Sequence, residues 1–236
     1  MSDQLQLSII IPTYNETENI AALINYLQIN ASNYLIEIIV SDGQSTDNTV
    51  EIATAAGVRV VVSPSKGRGA QMNYGASLAQ ADVLYFVHAD SFPPHDFIDK
   101  IFQQIKMGNN IGCFRLKFDV SHWFLNINCW FTRFDINAFR YGDQSLFVTK
   151  DIFQKAGGFN AQLIMLEDQE IIHRLKRYGK FKVMHGAVIT SARKYLENGI
   201  FHTQGVFYLI YILFKLGISQ HSLLKLYRRL IKQDKL

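Results

Sequence analysis

Short runs of apolar residues alternate with helical patterns through the first half of the chain. Four runs rich in β-branched and aromatic residues predict strands: 6–12, 36–41, 58–62 and 83–87. A helix is predicted between each pair of neighbouring strands. The second helix covers 47–56, and the third runs from the Gly-rich loop 66–70 to about residue 80. The first is marked by apolar residues at helical spacing: Ile20, Leu23, Ile24 and Leu27. Because the strands are short and uniformly apolar, we expect a mostly parallel sheet covered on both faces by helices, an α/β doubly wound, Rossmann-like fold.

The start of the first helix carries a further signal. Asn15 and Glu18 stand three residues apart before it, a spacing typical of a capping box, in which each side chain binds the backbone N–H of the other residue. We therefore expect this pair to close the amino end of the helix.

The second half of the chain has a less regular pattern. A helix is predicted over 95–107, strands over 111–118 and 144–149, and a further helix within 165–179. Between the two strands, apolar side chains recur at helical spacing and form an aromatic stripe: Trp123, Ile127, Trp130, Phe131 and Phe134. Packing in the core and an acceptor pocket explain this stripe equally well, and both interpretations stay open.

The C-terminal part combines an apolar segment with a basic amphipathic one. Residues 205–214 are apolar all round, but this segment is too short for a membrane span of about 20 residues. The next helix has Leu223, Leu226 and Leu230 near one face with basic residues around them, as helices in a membrane surface do. Three interpretations follow: packing within the protein, a homodimer interface, or peripheral contact with a membrane. Ordinary packing is the simplest, since such helices are common in soluble domains.

Composition and charge narrow the class of protein. The 236 residues are 48% apolar and suffice for one well-cored domain. The net charge of +4 equals the surplus within 222–236, so the rest of the chain is balanced and shows no nucleic-acid footprint. Two cysteines, Cys113 and Cys129, form no disulfide framework, and the N-terminus lacks a basic signal segment. We expect a cytoplasmic protein, at the inner face of the membrane if its terminal helices bind lipid.

Polar or Gly-rich residues follow each of the four strands predicted in the first half. They occupy 13–16, 42–47, 66–69 and 88–90. The carboxyl ends of parallel strands meet at one edge of an open sheet, and ligands bind outside that edge. We therefore expect these four segments to form one binding site.

Charged residues of this edge suit a nucleotide diphosphate and its metal. Asp90 is a candidate ligand for Mg²⁺ or Mn²⁺, with a turn or helix cap as the alternative. Asp42 suits a hydrogen bond to a ribose or base, although Asp-Gly is equally a common turn. Lys66 and Arg68 suit phosphate or a base, although cations in a Gly-rich loop are more often solvated. The acids beside them favour the nucleotide interpretation.

Acids and histidines further along are candidates for the transfer chemistry. Glu167 and Asp168 open a helix, where they either balance its dipole or supply a general base for an acceptor hydroxyl. Asp143 either orients a substrate or caps a turn. Packing or hydrogen bonding best explains three histidines: His88, His185 and His202. We nevertheless keep His88 as a substrate-binding candidate and His202 as a metal-ligand candidate, because a polar stretch before His202 leads back toward Asp90.

Several motifs, taken in order, resemble glycosyltransferase family 2, whose members have the GT-A fold. They are "SIIIPTYNETENI", "EIIVSDGQSTDNTVEIA", "GRGAQMNYGASLAQADVLYFVHAD", "GGFN" and "EDQEIIHRLKRYG". The resemblance is closest to a bacterial subgroup of arsenosugar-biosynthesis or selenodomain-associated glycosyltransferases, through "HADS", "GDQ" and the tail "SARKYLENGIFHT". It implies a GT-A domain over 1–198, with a nucleotide-sugar half to about 110 and an acceptor half after it, and a helical C-terminal extension over 199–236.

The resemblance also implies site residues. It surrounds the nucleotide of a UDP- or GDP-sugar donor with Pro12, Thr13, Tyr14, Glu16, Asp42 and Arg68. It assigns the metal, Mn²⁺ or Mg²⁺, to Asp90 and the catalytic base to Asp168 of the Glu-Asp motif. The family's Asp-x-Asp is His88-Ala89-Asp90 here, so the first acid is missing while the direct metal ligand is kept.

The reaction that the resemblance implies is an inverting transfer of one sugar to a small or lipid-linked hydroxyl acceptor. Processive polymer synthesis is not expected, because "HRLKRYG" stands where the family's processive members have Gln-x-x-Arg-Trp. A nucleotidyltransferase usually has a Gly-rich signature after its first strand, which "PTYNETEN" lacks. The alternative from another class is a non-catalytic nucleotide-sugar binder or membrane-associated scaffold, favoured by the incomplete Asp-x-Asp and the apolar tail.

Overall fold

A computed structural model describes residues 5–232 as a mixed sheet with helices on both faces. This part of the chain has eight strands, β1 to β8: Leu7–Thr13, Ile36–Asp42, Arg59–Val62, Val83–Phe86, Ser91–Phe92, Ile111–Phe118, Leu146–Thr149 and Phe181–Thr190. They lie in the order β3-β2-β1-β4-β7-β6-β8-β5. The α-helices of the same part, α1 to α10, are Ile20–Asn30, Thr49–Ala55, Arg68–Leu78, Phe97–Lys106, Trp123–Phe131, Lys150–Lys155, Glu167–Leu175, Arg193–Asn198, Ile200–Lys215 and Gln220–Leu230.

The four strands predicted in the first half form a parallel ladder. β1 pairs with β2 and β4, β2 pairs with β3, and Thr13 stands opposite Asp42 where β1 and β2 end. The other half is mixed, because β7 runs antiparallel to β4 and β6, and β5 runs antiparallel to β8, while β6 and β8 are parallel. The predicted mostly parallel α/β sheet is confirmed, and β5 and β8 are strands that the apolar pattern did not predict.

Both faces of β1 are buried, which explains its uniformly apolar sequence. Successive side chains of a strand point to opposite faces. Ile9 and Ile11 pack with apolar residues of α1 and α4, whereas Ile10 packs with residues of α3, α6 and α7. All three side chains are fully buried, and each contributes about 1.5–3 kcal/mol relative to an exposed position. The two layers fix β1 at the centre of the sheet and with it the edge where its loop begins.

The first helix forms as its apolar spacing predicts, but it begins differently. Its four apolar positions named above are all buried. The predicted capping box is wrong: the N-cap is Asn19, and no side chain caps it. Asn15 Oδ1 instead accepts from Thr46 N at 2.9 Å, and Glu18 lies 3.0 Å from Arg193. Both residues are engaged by distant segments, which the local spacing did not reveal.

Helices α9 and α10 pack on each other and on the segment before α7. Val206 and Ile210 of α9 share an apolar cluster with Leu223 and Tyr227 of α10 and with Met165. Leu223 and Tyr227 on the apolar face of α10 are thereby buried, and Leu226 and Leu230 are partly buried beside them, which agrees with packing within the protein. Within residues 5–232 no helix has the length and apolar character needed to cross a bilayer. The boundary at 198/199 falls between α8 and α9 and stays a prediction.

Candidate active site

The loops at the carboxyl edge of the sheet hold unusual backbone conformations. Within residues 5–232, four residues other than glycine have positive φ: Asn15, Gln44, Ser145 and Leu166. The first two lie in the loops after β1 and β2, and the others directly precede β7 and α7. Such conformations cost of order 1–3 kcal/mol each and cluster at functional sites, where surrounding contacts impose them. The strain of the described chain therefore concentrates in or beside the segments predicted to form the site.

Asp42 holds the loop after β2 in place. Its buried carboxylate accepts hydrogen bonds from Thr13 Oγ1 at 3.1 Å, Ser45 N at 2.8 Å and Ser45 Oγ at 2.5 Å. Gln71 Nε2 donates to the carbonyl oxygens of Thr13 and Ser41, which ties α3 to the ends of β1 and β2. A carboxylate accepts about four hydrogen bonds, so Asp42 keeps little capacity for a ribose or base. Its turn role is seen directly, and its role in nucleotide binding stays a prediction.

The other residues predicted around the nucleotide differ in accessibility. Pro12 and Thr13 are buried within β1, so they shape the strand end. Tyr14 is partly exposed in the following loop, and Lys66 Nζ stands 5.8 Å from the centre of its ring. The loops after β1 and β3 therefore meet, as predicted for one rim.

An ion pair joins the two halves of the chain. Arg68 opens α3, Glu167 opens α7, and Arg68 Nε lies 2.7 Å from Glu167 Oε1. Glu167 is fully buried, whereas 40% of the Arg68 side chain is exposed. Burial raises the pKa of Glu167; Arg68 opposes this shift and the charge of Asp168 adds to it. Without exposed surface, Glu167 is suited to positioning Arg68 and α7 and not to contacting a substrate, which departs from its expected part in catalysis.

Asp168 and His88 meet at Gly142. A methyl group added to Gly142 would overlap Asp168 Oδ2 and His88 Cε1, so both side chains lie against this glycine. His88 Nδ1 lies 2.9 Å from Asp143 Oδ1. Burial by itself lowers the pKa of His88, but the hydrogen bond and charge of Asp143 outweigh burial and raise that pKa above its ordinary value. Asp168 and His88 also line a cavity of about 10 Å³, with room for roughly one water molecule.

Asp90 stands among other negative charges. Burial raises its pKa, and the nearby charge of Asp143 raises it further; His88 opposes this shift, and Glu16 adds a smaller contribution to it. Crowded carboxylates fit a hard divalent cation, which removes their repulsion. Within residues 5–232, no group of three or more His, Cys, Asp or Glu side chains could hold a metal by itself. The role of Asp90 as a ligand of Mg²⁺ or Mn²⁺, with water and phosphate oxygens completing the shell, stays a prediction.

The other predicted histidines lie in contacts of their own. His202 Nε2 lies 2.9 Å from the carbonyl oxygen of Leu230, in the contact between α9 and α10. The structure does not bring His202 to Asp90. His185 Nδ1 lies 3.2 Å from Arg115 Nη2, which agrees with a hydrogen-bonding role.

Lys194 of α8 brings a positive charge of the C-terminal part near Asp143 and Asp90. Burial lowers its pKa, an effect that the nearby carboxylates of Asp143 and Asp90 oppose. Its neighbour Arg193 lies 3.0 Å from Glu18 and ties α8 to the loop after β1. Sequence reasoning missed Lys194, although the motif "SARKYLENGIFHT" that contains it pointed back to the site.

Comparisons with known proteins agree with this arrangement. A family model described as glycosyl transferase family 2 matches residues 8–163, more than half of the chain. A dolichol-phosphate mannosyltransferase of Pyrococcus furiosus is 32% identical over 113 residues, which cover 46% of this chain and 32% of the relative. The chain thus corresponds to about a third of the length of the first curated relatives it matches.

Two solved structures share the fold over most of the chain. The mannosyltransferase PcManGT from Pyrobaculum calidifontis, in complex with GDP-Man and Mn²⁺, has a TM-score of 0.69 at 14% identity, over 90% of this chain and 63% of its own. A glucosyl-3-phosphoglycerate synthase from Mycobacterium tuberculosis, in complex with Mn²⁺, uridine-diphosphate and phosphoglyceric acid, has a TM-score of 0.61 at 17% identity, over 91% and 80%. At these identities the likeness shows the fold, which is GT-A.

Proposed function

Because the chain belongs to glycosyl transferase family 2, we propose that it transfers a single sugar from a nucleotide-diphosphate sugar to a hydroxyl acceptor. One observation carries the proposal: Asp168 and His88 meet at Gly142. A carboxylate that can accept a proton, Asp168, thus lies beside His88, which is two residues in sequence from the predicted metal ligand Asp90, at the edge of the sheet where ligands bind.

Asp168 is the proposed general base. It accepts the proton of the acceptor hydroxyl while that oxygen attacks the anomeric carbon of the donor. The bond between this carbon and the donor phosphate breaks, and the nucleoside diphosphate leaves with the electron pair. A single displacement of this kind inverts the anomeric centre and needs no covalent enzyme intermediate. A positioned base contributes about 10²–10⁴ in rate.

The leaving diphosphate gains negative charge, which cations must stabilise. Lys66, Arg68 and Lys194 are the basic residues proposed to bind it, from the loop before α3, the start of α3, and α8. Glu167 holds Arg68 in place, and Asp143 positions His88. A divalent cation, when bound at Asp90, would neutralise part of the diphosphate charge.

The donor, acceptor and compartment are part of the same proposal. We propose a UDP- or GDP-sugar as donor, supported by PcManGT with GDP-Man and the synthase with uridine-diphosphate, and a small or lipid-linked hydroxyl compound as acceptor. Mn²⁺ in both of those complexes supports a divalent cation. Both cysteines of the chain are unpaired, which suits a reducing cytoplasm. Placement in the arsenosugar-biosynthesis or selenodomain-associated subgroup is proposed on the motifs alone.

The general base is tested by Asp168→Asn, which keeps the shape of the side chain and removes its basicity. We expect turnover to fall by about 10²–10⁴ while the shift in melting temperature caused by donor stays as in the unchanged protein. Asp151→Asn is the matched control, because Asp151 is also an acid in the first turn of a helix and lies outside the site. Turnover by Asp168→Asn at the rate of the control would refute the assignment.

A donor screen separates the enzyme from the scaffold alternative. Melting temperatures are measured with a panel of UDP- and GDP-sugars, with and without Mn²⁺; a ligand at 100 times its Kd stabilises by about 2.7 kcal/mol. The enzyme proposal expects one donor to bind and then to be hydrolysed or transferred. Binding without turnover over a broad acceptor panel would favour the non-catalytic binder.

A further inference from the structure

Helix α9 is apolar on all sides, yet only one side is covered. Its inner residues Val206 and Ile210 are buried against α10. Its outer side keeps between 39% and 72% of each large apolar side chain exposed: Phe201, Tyr208, Leu209, Ile212 and Leu216. A helix that is apolar all round is normally buried in a protein core or in lipid. Within residues 5–232 the outer side of α9 is therefore covered only in part.

Helix α5 extends the same exposed surface. The sequence pattern allowed the aromatic stripe to lie either in the core or in an acceptor pocket. The stripe points outward, since four of its members are 41–62% exposed: Trp123, Ile127, Trp130 and Phe134. The inner side of α5 packs instead through Leu125, which is fully buried. The stripe is therefore not part of the core.

The two helices contact each other directly. The rings of Phe124 and Phe201 are 4.8 Å apart, and Trp123 also packs against Phe201. Tyr208 of α9 donates a hydrogen bond to Asn128 of α5. The exposed side chains of both helices therefore belong to one surface, called here the outer apolar face: Trp123, Ile127, Trp130, Phe134, Phe201, Tyr208, Leu209, Ile212 and Leu216.

The two segments that carry the outer apolar face have only positive charges. Segments 120–134 and 200–232 contain no Asp or Glu, and their bases are Arg133, Lys215, Lys225, Arg228, Arg229 and Lys232. Arg133 lies 4.6 Å from the ring of Trp130, and Lys215 lies 5.6 Å from the ring of Tyr211, so both bases adjoin aromatic rings. The nearest acids in sequence before and after α5 are engaged, Asp119 with the backbone of Ala192 and Asp135 with Lys176.

We propose that the outer apolar face docks onto a bilayer surface that contains anionic phospholipid. Tryptophan and tyrosine are enriched where apolar chains meet headgroups, and bases beside them attract anionic lipid. This surface differs from the one that the amphipathic pattern of α10 suggested, because Leu223 and Tyr227 on the apolar face of α10 are buried against α9. The docked helices adjoin α8, whose Lys194 lies near Asp143 and Asp90, so docking would bring the proposed active site close to the bilayer.

A second copy of the chain fits this face less well. A twofold interface brings the same patch of both copies together, so the bases at its border would meet without acids to pair with them. Like charges opposed across an interface are unfavourable. An anionic bilayer supplies the complementary charge that a second copy lacks.

The two tryptophans of the chain are Trp123 and Trp130, so tryptophan emission, excited at a wavelength that tyrosine barely absorbs, reports on this face alone. The full chain is mixed with vesicles of phosphatidylcholine containing 30% phosphatidylglycerol, and separately with pure phosphatidylcholine. We expect a blue shift of the emission and co-sedimentation with the anionic vesicles, and weak effects with the neutral ones. Each base removed from the border, in Arg133→Gln and Lys215→Gln, lowers the partition by about fivefold, converted from about 1 kcal/mol per charge.

Matched surface variants and light scattering complete the test. Ile127→Gln with Ile212→Gln reduces vesicle binding, whereas Ile29→Gln with Met107→Gln, at two exposed positions elsewhere on the surface, does not; circular dichroism confirms that both variants fold. Absence of both the emission shift and co-sedimentation with anionic vesicles would overturn the proposal. A dimer seen by light scattering that Ile127→Gln with Ile212→Gln abolishes would also overturn it, in favour of the homodimer.

Discussion

Strands β3, β2, β1 and β4 form a regular parallel ladder, whereas β7, β6, β8 and β5 mix both strand directions. In the parallel half, candidate site residues follow the strands directly, as Tyr14 follows β1 and His88 follows β4. In the mixed half they come from the short 3₁₀ helix Gly142–Gln144, from the start of α7 and from α8. The comparison teaches that the regular half provides the frame and the edge, while the irregular half brings the proposed general base, Asp168, to that edge.

The largest expected effect is a loss of stability in the parallel half of the sheet. Ile10→Ala removes a fully buried side chain between β1 and α3, and such changes lower the free energy of unfolding by about 2–5 kcal/mol. We expect turnover per folded molecule to stay close to that of the unchanged protein. Urea unfolding measures the loss, with Ile127→Ala on the exposed side of α5 as control at about 0.5 kcal/mol or less. A loss in Ile10→Ala as small as that of the control would contradict the two-layer core.

Where Asp168 and His88 meet at Gly142, we expect a change to lower turnover and to leave stability almost unchanged. Gly142→Ala pushes both side chains away from their positions, and a misplacement of about 1 Å costs about 10² in rate. Stability changes little, because the atoms that the methyl group meets are side-chain ends and not backbone. Steady-state kinetics and urea unfolding measure both quantities, with Gly205→Ala as control, since a methyl group there meets open space. If Gly142→Ala turned over as fast as the control, the mixed half of the sheet would not be the part that positions the side chains for transfer.

The ion pair between the halves gives a smaller, pH-dependent effect. Arg68→Gln leaves buried Glu167 without its partner, and because Arg68 is partly exposed we expect a loss of about 1–3 kcal/mol at pH 7. The folded pKa of Glu167 is already raised, and losing Arg68 raises it further above the unfolded value of about 4.3. Folding then binds protons, so stability falls as pH rises from the unfolded pKa to the folded one.

Thermal or urea unfolding at pH 4 and pH 7 measures this difference. The loss caused by Arg68→Gln should be smaller at pH 4, where Glu167 is largely protonated in both states. Arg68→Gln combined with Glu167→Gln should recover stability at pH 7, because no buried charge is then left unpaired. Equal losses at the two pH values would show that the charge of Glu167 is not the cause.

The smallest effect concerns backbone strain at the edge. Gln44 is exposed and has φ of 67°, a left-handed conformation that glycine adopts at little cost. Gln44→Gly is expected to raise the free energy of unfolding by about 0.5–1 kcal/mol. Gln103→Gly, at an exposed position inside α4, should lower it by about 1 kcal/mol. Destabilisation by both changes would show that the loop at Gln44 is not strained.

Sequence reasoning worked best where a local pattern decides the outcome. The strands from β1 to β4 and helix α1 follow from apolar periodicity, because each side chain's face is fixed by the geometry of its own element. The edge built from the following loops also follows, since parallel strands end together. The local spacing of Asn15 and Glu18 also fitted a capping box, and that prediction is wrong. These side chains instead contact Thr46 and Arg193, which are distant from them in sequence.

The order of residues along the chain determined the α/β frame, the family resemblance and the segments that line the site, because these depend on periodicity and on motifs that are contiguous in sequence. Only the tertiary structure decided which side chains meet: that Lys194 and not His202 comes near Asp90, that Glu167 is buried against Arg68, and that the aromatic stripe of α5 joins the outer side of α9. Burial and partners depend on segments far apart in sequence, and chain folding alone brings these segments into contact.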